Sequence, residues 1–221
     1  MTGTVLQQPR QVPRAVWWSA GLLALWAAVL GMVLTRDGLA EADVPVLHWL
    51  EGHRSGPLTT VFELVSGTVP DGAAALLAGA VVLLAAVRSR SLRPLLTLAA
   101  AVGAAVVLAE GLKAVVGRAR PATGAMLGVP ETGSGFPSAH TLVITALAGA
   151  TALVVWRTTA SRAARVVVVV LALAASAAMG ASRLYLGDHW LTDVLASYVL
   201  GGLVVTVTAA LTPPSGRSGP G

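Results

Sequence analysis

Long apolar stretches alternate with short polar ones along this chain, and the apolar stretches share a length. A bilayer core about 30 Å thick is crossed by roughly 20 apolar residues in a helix. Six segments approach that measure: Ala15 to Thr35, Asp71 to Val87, Pro94 to Val116, Ser138 to Trp156, Ala164 to Ala181 and Trp190 to Leu211. The second has the shortest strictly apolar part. Between the first two, residues 36 to 70 mix acids and histidines with Val44, Leu47, Leu50, Val61, Phe62 and Val65 at helical spacing. That pattern predicts helices lying along the membrane surface, broken at Gly56-Pro57 and by Gly67 and Pro70. The expected fold class is therefore all-α: a polytopic membrane protein with six transmembrane helices and interfacial helices between the first two. No internal repeat divides it, so residues 1–221 form a single membrane domain with flexible ends at 1–14 and 212–221.

Composition removes the main rivals. With 55% hydrophobic and 11% charged residues and a mean hydropathy of +0.77, the chain lies outside the range of soluble domains. It has no cysteine, which excludes a disulfide framework, a thiolate metal site and a cysteine nucleophile. The formal charge of +5 comes from fifteen basic residues, but these are scattered between apolar runs rather than gathered in a stripe, so nucleic acid is not an expected partner. The first apolar run is long enough to span and lacks a small-x-small cleavage site, which predicts a retained helix rather than a cleaved leader.

The placement of charge orients the helices. With the N-terminus inside, the inner segments hold Arg10, Arg14, Arg88, Arg90, Arg93, Arg157, Arg162, Arg165 and Arg217 and no acid, while all ten acids and four histidines fall on the other side. Short cytoplasmic loops are rich in Arg and Lys. The expected location is thus the plasma membrane, multi-pass, with cytoplasmic termini.

Three polar constellations interrupt the apolar chain, and the helix count puts all three at the outer face: Lys113-Ala-Val-Val-Gly-Arg118-Ala-Arg120-Pro121, then Phe136-Pro-Ser138-Ala139-His140, then Ser182-Arg183-Leu-Tyr-Leu-Gly-Asp188-His189-Trp-Leu-Thr-Asp193. Ionisable groups at membrane depth are costly and mark function. Lys113, Arg120 and Arg183 offer the charge and donors that suit a phosphate dianion. Ser138 precedes an apolar helix, where it can cap the first turn while backbone N–H groups face an anion. His189 and Asp193, four apart, share a helix face, so the carboxylate can orient the imidazole as a nucleophile toward phosphorus. His140, one turn into its helix, can protonate the leaving oxygen.

Taken in order, Lys-x6-Arg-Pro, Pro-Ser-x-His and Ser-Arg-x5-His-x3-Asp resemble the three-part signature of the type 2 phosphatidic acid phosphatase superfamily, which includes glucose-6-phosphatase and the vanadium haloperoxidases. The resemblance covers roughly residues 100 to 205. It implies transient phosphorylation of His189, with Asp193 as its partner and His140 as the acid. It also implies phosphate binding by Lys113, Arg120, Ser138, Arg183 and the Ala139 amide, although the family usually has Gly at the position of Ala139. The expected activity is a membrane phosphatase acting on a lipid phosphate or diphosphate: phosphatidic acid-like, phosphatidylglycerol phosphate or polyprenyl diphosphate. It would need neither metal nor other cofactor. A lipid phosphotransferase and a non-catalytic lipid-phosphate binder or transporter are the alternatives. Glu110, one turn before Lys113, reads as its structural ion-pair partner, Tyr185 and Trp190 as anchors or pocket walls, and His48 and His53 as interfacial residues. Neither a role for Asp188 nor an oligomeric state can be read from these residues.

Overall fold

The computed structural model describes residues 14–67 and 72–212, and it is helical throughout these residues, with no strand among them. Helix α1 covers Arg14–Thr35, α2 Asp43–Gly52, α3 Gly56–Gly67, α4 Ala73–Ser89, α5 Arg93–Val116, α6 Ala139–Thr158, α7 Arg162–Tyr185 and α8 Leu191–Leu211. Two short 3-10 turns, Gly38–Ala42 and Thr123–Ala125, lie in the connections. Five helices among the described residues are long and apolar enough to cross a membrane: α1, α5, α6, α7 and α8. The chain is accordingly a multi-pass membrane protein. The second expected segment forms α4, whose 17 residues reach only about 25 Å at 1.5 Å per residue. Its start at Ala73 follows Gly72 in a left-handed conformation, and its end is marked by Arg90, left-handed as well. Asp71 and Pro70, expected at the border of this segment, lie outside the described residues, as do the proposed flexible ends apart from Arg14, which opens α1, and Thr212.

Two helices do stand between α1 and α4, as the spacing predicts. The break between them falls at residues 53–55 rather than at Gly56-Pro57, because Gly56 and Pro57 open α3, where proline's fixed φ suits a first turn.

Helix α6 is the hub. Ala101, Ala105 and Ala109 of α5 face Leu142, Ala146 and Ala150 of α6, with Leu200 and Val204 of α8 closing the same cluster. Small residues let membrane helices approach closely. The α6–α8 crossing shows how closely: a Cβ on Gly201 would lie 2.6 Å from Thr145 Cγ2, and one on Gly149 2.7 Å from Val205 Cγ2. Outward faces carry Leu76, Leu77, Val107, Val115, Leu171 and Leu173, all exposed, a surface fit for lipid and not for water.

The two ends of the bundle differ. At one, Arg157 donates to the carbonyls of Ala209 (2.7 Å) and Thr212, joining the C-terminal ends of α6 and α8. Arg88, Arg90, Arg93, Arg162 and Arg165 also lie in or beside the α4–α5 and α6–α7 connections at that end. At the other end meet the C-terminal ends of α5 and α7 and the N-terminal ends of α6 and α8, with α2 docked on α7 and α8 and α3 on α7.

Candidate active site

The three polar constellations converge at that second end. Helix α7 ends on Arg183 and Tyr185, and the turn through Gly187 delivers Asp188 and His189 ahead of α8. Gly187 has φ +80, a left-handed turn in close contact with the Ala125 carbonyl where a side chain has no room. Arg54 locks this turn from below, its Nη2 donating to Ala125 O (2.6 Å) and its Nε to Tyr185 O (3.1 Å). The Tyr185 hydroxyl in turn accepts from Ser55 N at 2.8 Å and donates to Ser55 O at 3.1 Å. Tyr185 is thus the post on which α3 docks.

His189 is 2% exposed, and its two ring nitrogens are distinguished by their partners. Nδ1 lies 2.8 Å from the Gly135 carbonyl, which can only accept, so the proton belongs on Nδ1. Nε2 then holds the lone pair, 3.1 Å from Arg120 Nη1. Asp193 Oδ2 stands at 3.5 Å from Nδ1, a looser partner than the backbone carbonyl; the short bond it makes is with Trp190 N at 3.0 Å, closing the first turn of α8. The fit around Gly135 is tight, since a Cβ there would sit 3.2 Å from Arg120 Cγ and 3.3 Å from Asp193 Oδ2.

Above Nε2 two guanidinium groups share one carboxylate. Glu131, from the α5–α6 connection, is 2.9 Å from Arg120 Nη2 through Oε2 and pairs with Arg183 Nη2 through Oε1. His140 Nδ1 lies 3.9 Å from the same Oε1. Arg120 also donates to the Asp188 carbonyl at 2.8 Å, and Arg183 pairs with the Asp188 carboxylate at 2.8 Å and with Ser66 Oγ. The Nε atoms of both Arg120 and Arg183 are buried without a hydrogen-bond partner. Unsatisfied buried donors of this kind are rare and call for an explanation. Ser138 caps α6, its Oγ accepting from Thr141 N at 3.4 Å, and Ala139 is the first residue of that helix. Lys113 pairs with Glu110 at 3.1 Å, as the sequence spacing predicts.

Charge balance tunes the loop groups. Burial opposes ionisation of Glu131, but Arg183 and Arg120, with His140 and His189, outweigh it and hold the carboxyl below its usual range. Burial dominates at Asp188 and, with Glu131 adding to it against the pull of Arg183, pushes the carboxyl up to about 6. Burial also lowers His189, against the pull of Asp193 and with Arg120 and Arg183 assisting, so its neutral form persists below the usual range.

A sequence model described as the PAP2 superfamily matches residues 94–217 of this chain. The chain belongs to the PAP2 superfamily. A solved structure, the first transmembrane PAP2 type phosphatidylglycerolphosphate phosphatase from Bacillus subtilis, superposes with a TM-score of 0.81 at 21% identity, over 91% of this chain and 99% of that one. The fold is therefore shared well beyond the family signature. No curated protein matches this sequence.

Within this PAP2 chain the structure brings His189, His140, Asp193, Arg120, Arg183 and Ser138 to one end of the bundle. Sequence reasoning missed four participants. Glu131 and Gly135 sit in a connection without periodicity. Asp43, in the surface segment, is 3% exposed and pairs with Arg118 at 2.6 Å. Arg118 also binds Asp193 Oδ1 and, at 2.8 Å, Thr192 Oγ1. Only Arg118 had a visible signal, its place two residues before Arg120. Asp188, without a role in the sequence, is a partner of Arg183.

Proposed function

We propose that this chain is a membrane lipid phosphatase working through a phosphohistidine. The observation that carries the reading is the lone pair of His189 Nε2 beside Arg120, which shares Glu131 with Arg183, both arginines having buried Nε donors without a partner. Two phosphoryl oxygens would satisfy them. In the first step Nε2 bonds to phosphorus, the bond from phosphorus to the lipid oxygen breaks, and His140 gives its proton to that oxygen. In the second, His140 takes a proton from water as the water oxygen bonds to phosphorus and the N–P bond breaks, releasing phosphate. Arg120 and Arg183 stabilise the oxygens throughout. Ser138, the Ala139 amide and Lys113 complete the phosphate seat once Lys113 turns from Glu110.

The substrate is a lipid phosphate presented from the bilayer. A cavity of about 660 Å³ flanks Arg118 and Arg120, with Val33, Leu34, Val44 and Val116 on its apolar side, a setting that suits an acyl or prenyl chain beside its headgroup. Phosphatidylglycerol phosphate, by similarity to the Bacillus subtilis enzyme, joins phosphatidic acid and polyprenyl diphosphate in the panel to be tested. Helix α4 completes six spans with local thinning of the bilayer, and the arginine-bearing end faces the cytoplasm of the plasma membrane with the site outside.

His189→Ala in purified protein is expected to abolish phosphate release from every member of that panel. Full release by the variant would reject the mechanism, and release from none by the native protein would reject the activity.

A further inference from the structure

Helix α2 belongs to a surface segment outside the PAP2 match, yet it sends a buried carboxylate to the catalytic end. Asp43 Oδ1 accepts from the backbone N–H of Thr192 at 2.9 Å, in the first turn of α8, and its Oδ2 accepts from Thr192 Oγ1 at 2.8 Å. The same Oδ2 is 2.6 Å from Arg118 Nη2, while Arg118 Nη1 binds Asp193 Oδ1. Arg118 is therefore a bridge between two carboxylates, both almost wholly withdrawn from water.

We propose that Asp43 and Arg118 are positioning residues that set the orientation and the charge of Asp193, and through it the reactivity of His189. This rests on the phosphatase reading above. A carboxylate with both oxygens free rotates; with Oδ1 held by Arg118, Oδ2 is fixed on Trp190 N and 3.5 Å from His189 Nδ1. Asp193 has no access to solvent, so it needs a counter-ion to remain charged. A counter-ion serving Asp193 alone would cancel the charge that stabilises a cationic or phosphorylated imidazole. By sharing Arg118, Asp43 leaves the Asp–Arg–Asp group with a net negative charge facing His189. The other charged or titratable groups around that imidazole are Arg120 and Glu131 from the α5–α6 connection, His140 on α6, Arg183 on α7 and the neighbouring Asp188.

The test uses Arg118→Met, Arg118→Lys, Asp43→Asn, the double variant Asp43→Asn/Arg118→Met and His189→Ala. Each is assayed with dioctanoyl phosphatidic acid in detergent, and kcat is normalised to folded protein by size-exclusion chromatography. Arg118→Met is expected to lower kcat about 10- to 100-fold, the range for losing a group that orients a reacting residue, with KM within about twofold. Arg118→Lys restores part of that loss. The double variant falls close to Arg118→Met alone, because Asp43 acts through Arg118. Unchanged kcat per folded molecule in Arg118→Met and Asp43→Asn, or additive losses in the double variant, overturns the proposal. Activity retained in His189→Ala instead overturns the phosphohistidine mechanism beneath it, and no release by the native protein overturns the phosphatase reading.

Discussion

Glu131 bridges Arg120 and Arg183, the two arginines assigned to the phosphoryl group in the proposed mechanism, and replacing it with Gln tests whether it competes for them. The substitution keeps the shape of the side chain and removes its charge. The native carboxylate bonds Arg120 Nη2 at 2.9 Å and pairs with Arg183 Nη2, and hydrogen bonds to charged groups contribute about 1.5–3 kcal/mol each. Its side chain is 29% exposed, so water recovers part of that when the carboxylate swings aside. A net cost to the incoming anion of about 1.4 kcal/mol follows, which is tenfold in affinity. Sulfate is a suitable probe because its charge does not change near neutral pH. Calorimetric titration of the detergent-solubilised protein at low ionic strength should give about tenfold tighter sulfate binding for Glu131→Gln than for the native chain. Equal or weaker binding would refute the reasoning, since the carboxylate would then be organising the arginines rather than competing for them.

Asp188 predicts a pH effect on the same measurement. With its carboxyl pushed up to about 6, it takes a proton as pH falls through that value and loosens its hold on Arg183. Native sulfate affinity should therefore rise between pH 7 and 5, and Asp188→Asn should flatten that rise; an equally steep curve in the variant would exclude Asp188 as its source. Gly135→Ala forces a methyl to 3.2 Å from Arg120 Cγ and displaces the carbonyl that fixes the His189 tautomer. A fall in kcat of about 100-fold with little change in KM is expected, and native kcat would show that the carbonyl is dispensable. Because arginines supply the charge that a metal would otherwise provide, activity should survive excess chelator, and its loss with recovery on adding a divalent cation would overturn that expectation.

The apolar runs alone determined that this chain is an all-helical membrane protein, because a bilayer imposes both a length and a satisfied backbone on whatever crosses it. The three motifs likewise carried their own message. His189, Arg120, Arg183 and His140 are unusual in apolar surroundings, and order and helix count put them at one end without any knowledge of packing. Helix α4 was legible as apolar and as the shortest of the runs, but its limits depend on two left-handed residues, Gly72 and Arg90, rather than on hydropathy. What only the tertiary structure decided was the wiring between the motifs. Asp43 and Asp193 are 150 positions apart in sequence and share one guanidinium, and Glu131 and Gly135 reach the site from a connection with no periodic pattern. Local sequence sets helices through contacts three or four residues away, but partners across a bundle are chosen by how helices dock. No spacing rule encodes that choice, and so the motif residues could be placed at one end from the chain alone while the neighbours they meet there, Asp43, Glu131 and Gly135, could not.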